Sequence, residues 1–276
     1  MLNYYGGFFT YKDYLEGYHG QDYMGIGQII FLIISILAII LISIFLRKIS
    51  HKKIDVFLKI LAIAIPILEV LKIAIESYYD IKAGHGFNFS GLLPLYTCSL
   101  FIYTLPVAAF AKGRAKECCL AFLTTIGIFA GLTNFLMAPI LNTYPFFNFH
   151  TFVSLNFHFW MVFTGIFLIA TKYYVPKWID ILKGLIPLTI LSLFAIPVNY
   201  LLSAHYGWGV DYMLYYCGNG APLLPDIANS LANIGLRPVF TCLVYLMYIA
   251  ITAIIVSIIR LICFLKNIKT KKEINV

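Results

Sequence analysis

Long apolar runs, broken by short polar interruptions, follow one another from residue 26 to residue 262. Each run is about 20 residues long, the length an α-helix needs to cross the hydrocarbon core of a bilayer. The runs are continuous, without the two-residue alternation of a membrane strand. Backbone groups in hydrocarbon need internal partners, so helices are the structure such runs adopt. The pattern predicts an all-α polytopic membrane bundle with seven spans, near 26–46, 55–77, 91–111, 118–140, 150–171, 184–204 and 237–262. The second is the least apolar, since it carries Glu69, Lys72 and Glu76. Residues 1–25 are polar and aromatic and lack the basic start and cleavage site of a signal peptide, so they are expected to remain as an interfacial segment. Residues 263–276 form a basic tail. The connection 205–236 is rich in Gly and Pro and is expected to fold back over the bundle as a lid or re-entrant segment.

Composition fits this reading. Hydrophobic residues make up 61% of the chain and charged residues 12%, against roughly 25% charged in a soluble domain. The net charge of +8 does not point to nucleic acid, because the basic residues are not spread along one surface. They gather at Arg47–Lys53, Lys112–Lys116, Lys172–Lys183 and Arg260–Lys272, all on one side of the predicted spans. By the positive-inside rule that side is the cytoplasm, with the N-terminus outside and the C-terminus inside the cell membrane.

Candidate chemistry comes from polar side chains within the spans, where each is costly and needs a reason. Glu69, Lys72 and Glu76 share one face of span 2. Cys98 lies about 10 Å from the outer end of span 3 and His158 about 12 Å from that of span 5, if both spans are regular helices. Asn134 on span 4 and Asn199 on span 6 fall in the same outer half. Gly127, Gly131, Asn134 and Ala138 form a small-residue stripe that permits close helix contact and turns Asn134 inward. These faces are expected to line one cavity. The blander alternative is that the amides only hold helices together. Six cysteines give neither a disulfide framework nor a zinc pattern, and no metal or cofactor is expected.

Leu93-Pro94-Leu95-Tyr96-Thr97-Cys98-Ser99 resembles the Leu-Pro-Leu-His-Leu-Cys signature of bacterial YwaF-type integral membrane proteins, which are distant relatives of the eukaryotic transmembrane protein 164 group. Four further stretches resemble the family in the same order: Leu68-Glu69, Phe147-Asn148-Phe149 ahead of His158, Val198-Asn199-Tyr200-Leu201, and the loop Gly220–Asp226. Tyr96 departs from the signature's His, and His205-Tyr206 stands where an Asn-Tyr pair is usual. The resemblance implies an acyltransferase that moves fatty acyl chains between phospholipids through a cysteine.

Read this way, Cys98 is the nucleophile and His158 its base, and Asn134 or Asn199 steadies the oxyanion. Glu69 either orients His158 or holds the charge of Lys72. Tyr96, His205 and Tyr206 complete the polar cavity, and membrane lipids are the partners. The competing reading is a non-enzymatic binder or transporter of a small solute or lipid, with Cys98 inert. A seven-helix receptor or retinal protein fits less well, since span 7 has no Schiff-base lysine between Arg237 and Arg260 and the receptor signatures expected at the cytoplasmic ends of spans 3 and 7 are absent.

Overall fold

The computed structural model describes residues 7–15, 17–20, 25–84, 93–205, 212, 230 and 233–274, apart from the side chains at 203–205, 237–238 and 266–274. The described residues form eight α-helices and no strand: α1 Ile26–Phe45, α2 His51–Lys82, α3 Leu100–Phe110, α4 Gly113–Leu123, α5 Ile126–Met137, α6 Phe149–Ala170, α7 Asp180–Asn199 and α8 Arg237–Ile274. Short 3-10 turns at Lys12–Tyr14 and Pro139–Asn142 and a π-helical turn at Tyr200–His205 complete the chain order. Among these residues, Ile26–Phe45, Gly113–Asn142, Phe149–Ala170, Asp180–Leu202 and Val239–Leu265 are long and apolar enough to cross a membrane.

The helices are built for lipid, as the first of them makes plain. In α1 the buried side includes Gln28, Ser35 and Ser43, whereas Ile29, Ile30, Ile33, Ile34, Leu37 and Ile40 face outward. A water-soluble helix would present the reverse. Gln28 uses its amide to donate to the carbonyls of Phe135 (3.1 Å) and Leu136 (2.8 Å), which the last turn of α5 leaves open.

Two predicted spans are not single regular helices. The run 118–140 is broken into α4 and α5 at Thr124-Thr125. The hydroxyl of Thr124 donates to Leu120 O (2.8 Å) and that of Thr125 to Ala121 O (2.6 Å), occupying carbonyls at the break. The broken turn is pressed against α6: a Cβ on Gly165 would sit 2.4 Å from Leu123 O, so only glycine allows the approach. The second exception is 91–111, where the regular helix begins only at Leu100. Residues 93–99 run as irregular chain and turn, with Leu95 N on Leu93 O (2.8 Å) and Phe101 N on Cys98 O (3.0 Å). Non-helical backbone at membrane depth is tolerated where it lines a cavity or is buried in protein.

The bundle is held by close helix pairs. α5 lies along α6, α4 along α7, and α3 between α2 and α4, while α1 packs on α6 and α8 against α7 and α5. Gly131 of α5 meets α6 so closely that an added Cβ would come 2.5 Å from Val162 and 3.2 Å from His158 O. The small-residue stripe therefore seats α5 on the turn of α6 that carries His158. Phe57 of α2 packs edge-on to Phe163 and Phe167 (centroids 5.9 and 5.4 Å), joining α2 to α6.

The two ends differ. At the basic end Asp55 accepts from Tyr173 (2.5 Å) and Lys116 (3.3 Å), tying the start of α2 to the loop after α6 and to α4, and Lys183 of α7 reaches Glu117 of α4 (2.6 Å). At the other end the N-terminal segment is fastened across the bundle. Phe149 N donates to Phe8 O (2.7 Å) and Asn148 Nδ2 to Thr10 O (2.8 Å), while Asn148 also caps α6 by accepting from His150 N (2.9 Å). Tyr11 donates to Asp80 (2.5 Å), and burial, then this bond, raises the phenol above its ordinary pKa and keeps it a donor.

Candidate functional site

One cavity of about 180 Å³ gathers Glu69 and Lys72 of α2, Pro94, Tyr96, Cys98 and Ser99 of the irregular stretch, and Ser154, Phe157 and His158 of α6. Five of the nine residues expected at a shared site thus line one wall or another of it: Glu69, Lys72, Tyr96, Cys98 and His158. Cys98 arrives there from the turn ahead of α3, not from a helix face, so the depth argument built on a regular span 3 does not describe it. The turn is fixed by its neighbour Thr97, whose hydroxyl pairs with that of Tyr248 on α8 (2.5 Å).

His158 is the most informative side chain. It is buried, and its Nδ1 lies 2.7 Å from Ser154 O. A carbonyl only accepts, so Nδ1 carries the hydrogen of the neutral ring and Nε2 keeps a free lone pair. Nε2 is buried with no hydrogen-bond partner among the described residues. A polar atom left so is costly unless something is meant to meet it.

Lys72 and Glu69 form an ion pair of 2.7 Å in the same cavity, part-buried and one helical turn apart. Each lowers the cost of keeping the other away from water. Leu93 and Tyr96 are exposed at the cavity edge, which marks its mouth.

The other expected site residues stand elsewhere. Asn134 donates to Ala130 O of its own helix (3.3 Å) and does not line the cavity. Asn199 is buried and binds the backbone of Tyr212 twice: its Nδ2 donates to Tyr212 O and its Oδ1 accepts from Tyr212 N, both at 2.8 Å. Tyr212 is itself fully buried, with its ring edge-on to Tyr96 at 5.0 Å. Asn199 therefore clasps Tyr212 beside the cavity mouth. Glu76, about two turns beyond Glu69 on the same helix, does not line the cavity and lies 3.2 Å from Nδ1 of buried His150. The His205 side chain, Tyr206 and the Gly220–Asp226 loop lie outside the described residues.

Sequence reasoning missed Ser99 and Phe157 as cavity walls, and Tyr212 as the partner of Asn199. Ser99 adjoins the Cys already singled out, a signal that local spacing held, and Ser154 lies on the helix face with His158 where their spacing puts it. Nothing in the sequence marks Tyr212.

No curated protein and no solved structure gives a match to this chain. The model of the TMEM164 family matches residues 23–268, from just ahead of α1 into the last turns of α8, taking in every wall of the cavity. The chain belongs to the TMEM164 family.

Proposed function

We propose that this protein is a multi-pass lipid acyltransferase of the bacterial YwaF type, working through a thioester on Cys98. The observation that carries the reading is the unpartnered, buried Nε2 of His158 in a cavity shared with a cysteine thiol. His158 takes the thiol proton on Nε2, and the sulfur attacks the ester carbonyl of a donor lipid. The carbon–oxygen ester bond breaks and His158 returns the proton to the departing alcohol. In the second half, an acceptor hydroxyl gives its proton to Nε2 and attacks the thioester. The carbon–sulfur bond breaks and the thiol is restored. Lys72 supplies the positive charge on the cavity wall for the oxyanion, a task better suited to its position than to Asn134 or Asn199. A cavity of about 180 Å³ has room for about six water volumes. The ester and a few carbons fit, and the acyl chains stay in the bilayer.

A long-chain acyl donor should leave an acyl group on Cys98 that neutral hydroxylamine removes, detected by mass spectrometry of the cysteine peptide. Lipid retention with no acyl group on Cys98 would instead support a binder or transporter.

We also propose seven crossings, with α2 and the stretch from Leu93 through α3 joining the five apolar spans, and the N-terminus outside. An engineered cysteine at Lys82 should react with an impermeant maleimide in intact cells, and one at Lys112 should react only after permeabilisation. The reverse pattern overturns the orientation.

A further inference from the structure

A second site lies at the end of α2, away from the Cys98 cavity. The N-terminal segment, held by its bonds to Asp80, Asn148 and Phe149, lies beside α2 and with it borders an open chamber of about 460 Å³. Thr10, Tyr11, Tyr14 and Lys82 line it. Directly adjoining, a trough of about 300 Å³ runs between Phe9 and Ala74, Ile75 and Tyr78. Phe9 and Tyr79 are walls of both, so the two volumes lie side by side. Each is in the range of small-ligand sites, about 300–1,000 Å³.

The chemistry changes along the length of this space. The trough is walled by apolar and aromatic groups, and residues 75, 78, 79 and 82 follow one another on a single helix face. Lys82 stands about 12 Å beyond Ala74 along α2. An apolar trough on a membrane helix is filled by hydrocarbon, because water in it would lack partners. With α2 crossing as proposed above, the chamber, about twelve ångströms further along it, comes to the level of lipid headgroups. Lys82 is exposed and has no carboxylate partner among the described residues, whereas Asp80 is buried and engaged by Tyr11 and Lys12. The space therefore offers a positive charge and hydroxyls at one end and a slot for a chain at the other.

We propose that these adjoining cavities bind one phosphoglycerolipid of the surrounding leaflet, its phosphate against Lys82 and an acyl chain between Phe9, Ala74 and Tyr78. This lipid is held beside the N-terminal segment and is not the one that reacts.

The full chain in detergent, equilibrated with phosphatidylglycerol or with a diacylglycerol of the same chains, gives the test by native mass spectrometry. One phosphatidylglycerol should be retained in preference to the diacylglycerol. Lys82→Gln, a change at an exposed side chain that leaves folding intact, should weaken retention about fivefold. Ala74→Trp, which fills the trough, should displace both lipids. Lys12→Gln should change nothing, since Lys12 faces Asp80. Equal retention of the two lipids, or retention indifferent to Lys82→Gln, would show ordinary boundary lipid and overturn the proposal. Loss on Lys72→Gln in place of Lys82→Gln would put the lipid in the Cys98 cavity and overturn it equally. Because none of these readings uses turnover, the site stands or falls independently of the acyl-transfer chemistry.

Discussion

His158→Ala is expected to slow acyl transfer by about 10²–10⁴-fold, the range for losing a positioned general base. The bond from Nδ1 to Ser154 O fixes the ring, so Nε2 is the basic atom, and it faces no competing donor among the described residues. Cys98→Ser should fall at least as far, since an alcohol is a much poorer nucleophile than a thiolate. Residues that act as a unit are not additive, so the double variant should be no slower than the worse single one. Transfer of a labelled acyl chain between lipids in proteoliposomes measures all three. Glu69→Gln should give a smaller loss, through the charge of Lys72. Undiminished transfer by Cys98→Ser would remove the nucleophile from the scheme, and losses that multiply would separate Cys98 from His158.

Asn199→Ala is expected to produce the largest loss of stability among the polar residues of the spans. Its amide satisfies both backbone groups of Tyr212 in a fully buried setting. Each buried group left without a partner costs roughly 1–3 kcal/mol, so the pair costs about 2–6 kcal/mol unless the segment detaches. Either response should speed hydrogen exchange at the Tyr212 amide and lower the unfolding temperature in detergent. Transfer activity should fall as well, because the Tyr212 ring rests on Tyr96 at the cavity mouth. Asn134→Ala is the matched control, since its one side-chain hydrogen bond among the described residues is to its own helix and its loss should fall within about 0.5 kcal/mol. Similar behaviour of the two variants would refute the clasp.

The contrast between these two asparagines separates what is legible in the chain's pattern from what is not. Apolar runs of helical length dictated an all-helical membrane bundle, because hydrocarbon forces every backbone group to find its partner within the helix. The cost of polar side chains in that medium picked out Glu69, Lys72, Cys98 and His158, which do share a cavity. Helical spacing set Ser154 one turn before His158, where its carbonyl holds the ring.

Tertiary structure decided the rest. A polar side chain in a span must be satisfied, but the sequence does not say by what. Asn199 found the backbone of a residue 13 positions on, Asn134 found its own helix, and Glu76 turned to His150 under the N-terminal segment. Likewise the run around Cys98 is apolar enough for a helix, yet its first seven described residues are irregular. Contacts made far away in the chain, such as Thr97 with Tyr248, hold it in a shape that local propensity does not specify. Composition and period report what each segment must hide from water. Which partner hides it depends on the packing of segments distant in sequence, and that only the assembled bundle decides.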